Sequence, residues 1–367
     1  MFPGWILRLR ARVILSLFAA ALVSFAFTPP AKALAKKIGA IDMPGESRRV
    51  NDHPIPRLGG LAIFLGFLVG VLPFSNLSTP VQGILWGGVV VLLLGVLDDI
   101  YSLGPWVKLA GQCLAAFIAI RSGIRIEILT RPGGLQTESI VLGALSVPIT
   151  FIWIVGITNA VNLIDGLDGL AAGISGIGCA SMLAVSLFFP EATDVSVILA
   201  SLGGACLGFL PYNRNPAKIF MGDCGAMLLG YVLATASVLG LFKMYAIISF
   251  VVPLLALALP LSDTVFAVVR RLSHGKNPLL PDRGHIHHRL LALGLTQKQA
   301  VTLLYAVSVL LGLAAVILAA DGRTRFWLLI AAFVVAIGVW LYLFIGLRPS
   351  HHNGRKSDGD SDDISRR

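Results

Sequence analysis

The sequence predicts an all-α integral membrane protein, a polytopic bundle of about 10–11 transmembrane helices, on three observations. Of its 367 residues, 56% are apolar and only 13% charged, whereas soluble domains carry about 25% charged and 45–50% apolar residues. The mean hydropathy is +0.84. The apolar residues gather into runs of the ~20-residue length that crosses a bilayer, with turns and charges between them. The formal charge of +10 would suit a nucleic-acid ligand. The basic residues, however, sit in short connections, where they orient a membrane protein and touch anionic headgroups. Membrane lipid is the expected neighbour, and nucleic acid is not an expected partner.

Eleven apolar segments follow in order, at 12–28, 58–76, 81–97, 106–122, 148–164, 169–189, 195–212, 223–241, 245–269, 299–320 and 326–346. Arg8, Arg10 and Arg12 precede the first and Ala31-Lys32-Ala33 follows it, the outline of a secretory signal. Pro29 and Pro30 sit poorly before a cleavage site, so a retained first span is expected. The second opens on the basic glycine turn Arg57-Leu-Gly-Gly60, and the third ends on Asp98-Asp99. Between the fourth and fifth, residues 125–147 carry Pro-Gly-Gly with rough alternation on either side, the pattern of a short hairpin or re-entrant segment on one membrane face. The chain from Pro349 is polar and of mixed charge, so residues 1–348 read as the transmembrane domain and 349–367 as a disordered tail. Cys113, Cys179, Cys206 and Cys224 show neither metal-ligand nor disulfide spacing and read as small packing residues.

With the N-terminus outside and alternating spans, the connections 29–57, 98–105, 213–222 and 270–298, the 162–168 turn and the tail share one side. About 20 of the 29 Lys and Arg fall there, which makes that side cytoplasmic. Every polar cluster below lies on it.

Asp98-Asp99 closes the run GILWGGVVVLLLGVL. A charge at the bilayer centre costs about 2.5–3.5 kcal/mol even on the insertion scale; at the interface a carboxylate pair is tolerable and can hold a divalent cation. Alone, the pair would read as a cap for the following helix. In NAVNLIDGLDGL (159–170), Asn159, Asn162, Asp165 and Asp168 recur every third residue, so on a helix they form a slowly drifting polar stripe. One interhelical amide is ordinary; four polar groups in an apolar span each need a partner. In FMGDCG (220–225), Asp223 between glycines is either an N-cap or a hard oxygen ligand with room for close approach. In PDRGHIHHR (281–289), three histidines within four residues stand beside Arg283 and Arg289, a set of donors suited to a diphosphate. Zinc is less natural, because no second ligand pair stands at its spacing. Carboxylates for a hard cation and basic groups for phosphate, on one face of a bundle, describe phosphoryl transfer at a membrane surface.

In order and spacing, Asp98-Asp99, NAVNLIDGLDGL, FMGDCGA and PDRGHIHHRL resemble the polyprenyl-phosphate N-acetylhexosamine-1-phosphate transferase superfamily, from about Lys32 to Leu347. The His-Ile-His-His pattern is similar to the WecA/TagO branch; the muramoyl-pentapeptide branch typically shows three consecutive histidines. The resemblance implies transfer of GlcNAc-1-phosphate from UDP-GlcNAc to undecaprenyl phosphate with release of UMP, the first step of a lipid-linked cell-surface glycan. It implies a multi-pass protein of the bacterial inner membrane with its site facing the cytoplasm, Mg2+ as cofactor with Mn2+ as a substitute, and dimers as a familiar state. Position by position, it implies catalytic roles for Asp98, Asp99, Asp165 and Asp168, and metal ligation by Asp223 and Asp99. It implies substrate contacts for Asn159, Asn162, Arg57, Arg283, His285, His287 and His288. Cys224 departs from the Thr or Ala more usual after Gly-Asp. The alternatives are the same chemistry on UDP-MurNAc-pentapeptide or another UDP-N-acetylhexosamine and, more distantly, a secondary transporter, whose acids would lie near the midplane in matching halves.

Overall fold

A computed structural model of the chain describes residues 4–43, 54–130, 139–189, 192–240, 248–273, 285–320 and 322–346. The helices are α1 (Gly4–Ile38), α2 (Gly59–Val71), α3 (Thr79–Tyr101), α4 (Pro105–Arg121), α5 (Ser146–Ile164), α6 (Leu170–Ser186), α7 (Thr193–Asn213), α8 (Gly222–Gly240), α9 (Ile248–Ala256), α10 (Ala258–Ser273), α11 (Ile286–Ala292), α12 (Gln297–Ala319) and α13 (Gly322–Gly346). Among the described residues, six helical segments are long and apolar enough to cross a membrane, and three shorter apolar helices accompany them. The protein is an all-α, multi-pass membrane protein, as its composition requires.

The expected segment at 125–147 forms an antiparallel hairpin of β1 (Ile128–Thr130) and β2 (Ser139–Val141), with Ile128 opposite Val141 and Thr130 opposite Ser139. A second, two-residue pairing joins Ile41–Asp42 to Ile55–Pro56, and no sequence signal announced it. The ninth apolar segment is not one helix. α9 stops at Ala256 and α10 resumes at Ala258. Pro260 explains the break: it lacks an N–H, and its ring collides with the carbonyl four residues back, which is that of Ala256. The expected tail, from residue 349, lies outside the described residues.

α8 is the axis of the bundle, buried along almost its whole length, with α3, α5 and α2 packed around it. Its first turn is gripped by backbone on two sides. A Cβ on Gly95 of α3 would overlap the main chain of Cys224, and one on Gly60 of α2 would overlap that of Gly225. Glycines there let three helices converge where Asp223 enters. On the far side, α1 lies along α7 and α2. Ser24 Oγ donates to the Ala205 carbonyl at 2.8 Å, so the N-terminal segment is built into the bundle.

Candidate active site

α3 ends where its last turn delivers two carboxylates. Ser102 adopts a left-handed conformation, with φ of 51°. Asp98 Oδ1 then accepts from the Leu103 N–H at 2.7 Å, which closes the helix end. Asp98 is 3% exposed and forms an ion pair with Lys108, from the first turn of α4. Lys108 Nζ also stands 3.7 Å from Asp223 Oδ2. A lone lysine opening an apolar helix reads in sequence as an interfacial anchor; here it is the cation between two site carboxylates.

Asp99 points the other way, into α8. Its Oδ1 accepts from the Asp223 N–H at 2.9 Å and its Oδ2 from the Cys224 N–H at 3.2 Å. The free N–H groups of a helix's first turn attract an anion, and Asp99 supplies it. The capping reading of the pair was therefore right in kind for Asp99, but the capped helix is α8 rather than α4. Each Asp99 oxygen thus holds one backbone N–H of the turn, Asp223 or Cys224, and keeps a second lone pair. Gly222, at φ of +72°, makes the turn into α8 with the Asp99 carboxylate and the Arg57 carbonyl against its Cα, so a side chain would fill the space they occupy.

Asp223 Oδ1 accepts from Asn162 Nδ2 at 2.7 Å, so the last turn of α5 orients it. Three residues later Asp165 caps α5, and among the described residues its carboxylate has no hydrogen bond or ion pair. Burial, reinforced by the negative charges of Asp223 and Asp99, pushes its pKa up to about 8. Arg57 stands near enough to oppose that rise; its guanidinium pairs with Asp42, across the short pairing that joins β-bridged residues 41–42 and 55–56.

The rest of the polar stripe does other work. Asn159 and Gln112 of α4 exchange two amide hydrogen bonds, at 2.6 and 3.2 Å, and Asn159 Nδ2 also donates to the Val155 carbonyl. Its amide joins α4 to α5. Asp168 Oδ2 accepts from Asn215 Nδ2 and the Ala217 N–H, both at 3.0 Å. Through Oδ2 it latches the connection ahead of α8. A period of three placed these residues on a stripe but left their partners unspecified.

The histidine segment closes the cluster. His285 Nδ1 lies 2.9 Å from Asp263 Oδ2, and His287 stacks parallel to His285 at 5.8 Å, with the planes 4° apart. His287 abuts Gly166, the residue after Asp165, and His288 packs against it at 4.3 Å. His287 is 2% exposed. Burial, with His288 and His285 beside it, lowers its pKa to about 4. Arg283 lies outside the described residues.

Among the described residues no group of three His, Cys, Asp or Glu side chains forms a ready-made metal cage. Mg2+ does not ask for one: it is usually held by one or two carboxylates, with substrate phosphates and water completing the octahedron. Asp165, crowded by the charges of Asp223 and Asp99 and without a partner among the described residues, fits such an ion.

The fold is that of a multi-pass membrane protein with an acidic cluster at one end of its helices, and comparison with known proteins adds that it is a glycosyl transferase. Residues 81–241 match the model of glycosyl transferase family 4, and the chain belongs to that family. It is 40% identical over 308 residues, 84% of this chain and 85% of the relative, to a Bacillus subtilis protein named "Probable undecaprenyl-phosphate N-acetylglucosaminyl 1-phosphate transferase". It is 38% identical over 88% of its length, and 86% of the relative's, to a decaprenyl-phosphate N-acetylglucosaminephosphotransferase of Mycolicibacterium smegmatis. An undecaprenyl-phosphate alpha-N-acetylglucosaminyl 1-phosphate transferase of Escherichia coli is 28% identical over 85% of each chain.

Proposed function

We propose that this chain transfers GlcNAc-1-phosphate from UDP-GlcNAc to undecaprenyl phosphate, giving undecaprenyl-diphospho-GlcNAc and UMP, at the cytoplasmic face of a bacterial inner membrane. The observation that carries this reading is the acidic centre itself. Asp223 is held by Asn162, Lys108 and the Asp99-capped turn of α8, beside Asp165, which has no partner among the described residues, at the end of a membrane span. The names of the relatives supply the substrate class. Their names give acceptors of ten or eleven prenyl units with one and the same headgroup, a phosphate.

Phosphoryl transfer depends on positioning and charge neutralisation more than on covalent chemistry. A phosphate monoester with a second pKa near ~6 is largely dianionic at neutral pH, so the lipid phosphate oxygen can attack the β-phosphorus without a strong base. Asp98, already paired with Lys108, is not needed to take a proton. Lys108 and Arg57 contribute positive charge to a site entered by three phosphates, and the histidine segment offers imidazole donors beside the Asp165 turn. Asp223 and Asp165 are the side chains suited to hold Mg2+, or Mn2+ in its place, with Asp99 fixing Asp223 from behind. When bound, the ion would neutralise charge on the donor diphosphate.

The test is UMP release from a panel of UDP-sugars with undecaprenyl phosphate, with and without Mg2+. UDP-GlcNAc should be the preferred donor and chelation should stop turnover. Preference for UDP-MurNAc-pentapeptide, or turnover unaffected by chelation, refutes the corresponding part. A transporter would take up a solute in proteoliposomes and release no UMP.

A further inference from the structure

We propose that Asp263, a residue of α10 outside every motif considered above, is a positioning residue of this site. It docks the histidine segment and fixes the tautomer of His285. The inference rests on the transferase reading and deepens it.

Asp263 is 7% exposed, and each of its carboxylate oxygens is used once. Oδ2 lies 2.9 Å from His285 Nδ1, and Oδ1 accepts from the Ile286 N–H at 2.8 Å. Two successive residues are thus clipped to one side chain just where α11 begins. A carboxylate only accepts hydrogen bonds, so Nδ1 must carry the proton, and Nε2 is left as the nitrogen available to a ligand. Carboxylates behind a working imidazole commonly fix ring orientation and tautomer in this way. The clip is relayed inward. His287 stacks on His285 with the rings 4° from parallel, and it abuts Gly166 in the turn that carries Asp165. His287 Nδ1 is buried without a partner among the described residues, so its orientation comes from packing on His285 rather than from a bond of its own. One carboxylate on α10 therefore sets the position of two of the three histidines.

The docking and tautomer roles separate in Asp263→Asn. The amide oxygen can still accept from the Ile286 N–H, while the amide NH2 would donate to Nδ1 and drive the proton to Nε2. The experiment uses full-length protein in detergent and reads UMP release, the KM for UDP-GlcNAc, and hydrogen exchange at the Ile286 amide. Asp263→Asn should lower kcat by about tenfold to a hundredfold, the range for residues that orient a working histidine, with KM and Ile286 exchange unchanged. A second variant, His285→Asn, keeps an N–H donor facing Asp263 but has no imidazole. If Asp263 acts through His285, adding Asp263→Asn to His285→Asn should cost less than about twofold more, because coupled residues are non-additive. If Asp263→Asn does not yield folded protein, Asp263→Ser, which removes the carboxylate and keeps a small oxygen at the site, carries the same cycle. A kcat within threefold of wild type, or fully additive losses, overturns the proposal. Wild-type protein that releases no UMP overturns the transferase reading instead, so the two failures are distinguishable.

Discussion

Lys108 offers the sharpest test of how the acidic centre is balanced. Its ammonium pairs with Asp98 and stands 3.7 Å from Asp223 Oδ2. Lys108→Gln removes the charge and keeps most of the stem. At an effective dielectric of about 20, a pair at this separation has a gross attraction of ~4.5 kcal/mol. The Lys108 side chain is 29% exposed, and solvent screening reduces that figure, so ~2–3 kcal/mol is the expected net effect on the charge arrangement that substrate meets. At 1.36 kcal/mol per decade, kcat/KM should fall by about 30- to 150-fold. The assay is UMP release by purified protein at fixed Mg2+, with thermal unfolding in detergent to establish that the variant is folded. A folded Lys108→Gln variant within threefold of wild type would refute the claim that this lysine balances Asp98 and Asp223 during turnover.

Asp223→Ala should abolish turnover while leaving the chain folded, measured by UMP release alongside monodispersity in detergent; near-wild-type activity removes Asp223 from the site. Asp168→Ala loses two bonds to a buried carboxylate and should lower stability by ~2 kcal/mol, read as a reduced unfolding midpoint, with less effect on the kcat of the folded fraction. Gly95→Ala drives a methyl into the backbone of Cys224; with no flexible atom to yield, the cost should be about 3 kcal/mol or more, seen as loss of folded protein on expression. His287 adds a pH dependence. Its folded pKa, about 4, lies below the ordinary 6.5, so the unfolded chain binds the extra proton between those values. Its contribution is complete above about pH 6.5 and is lost as pH falls toward 4, up to ~3 kcal/mol. Unfolding at pH 7 and pH 4.5 should show a loss that shrinks in His287→Gln.

What was legible in the sequence followed from cost. Asp98, Asp99, Asp165 and Asp223 are conspicuous because carboxylates beside apolar spans are expensive, and the Pro-Gly-Gly hairpin because its turn chemistry is local. What was illegible depends on contacts across the chain. Asp223 and Asn162 were both visible, yet their bond joins residues 61 apart. Asn159 was visible too, yet its partner, Gln112, is 47 residues away in another helix. Lys108 and Asp263 each stand singly in ordinary helical sequence, and only the approach of α4 to α3 and α8, and of α10 to the start of α11, gives them partners. The break between α9 and α10 could have been read from Pro260, had a long apolar run not looked so much like one helix.

The seating of α1 bears on how the protein is made. Its Ser24 hydroxyl finds its acceptor 181 residues further along, on α7. At synthesis rates of 5–20 residues per second, the first span waits roughly 10–40 s in the bilayer before that partner emerges. Of the two helices it lies along, α2 is made early and α7 late. Loss of α1 within that interval would leave α7 without the helix it packs along.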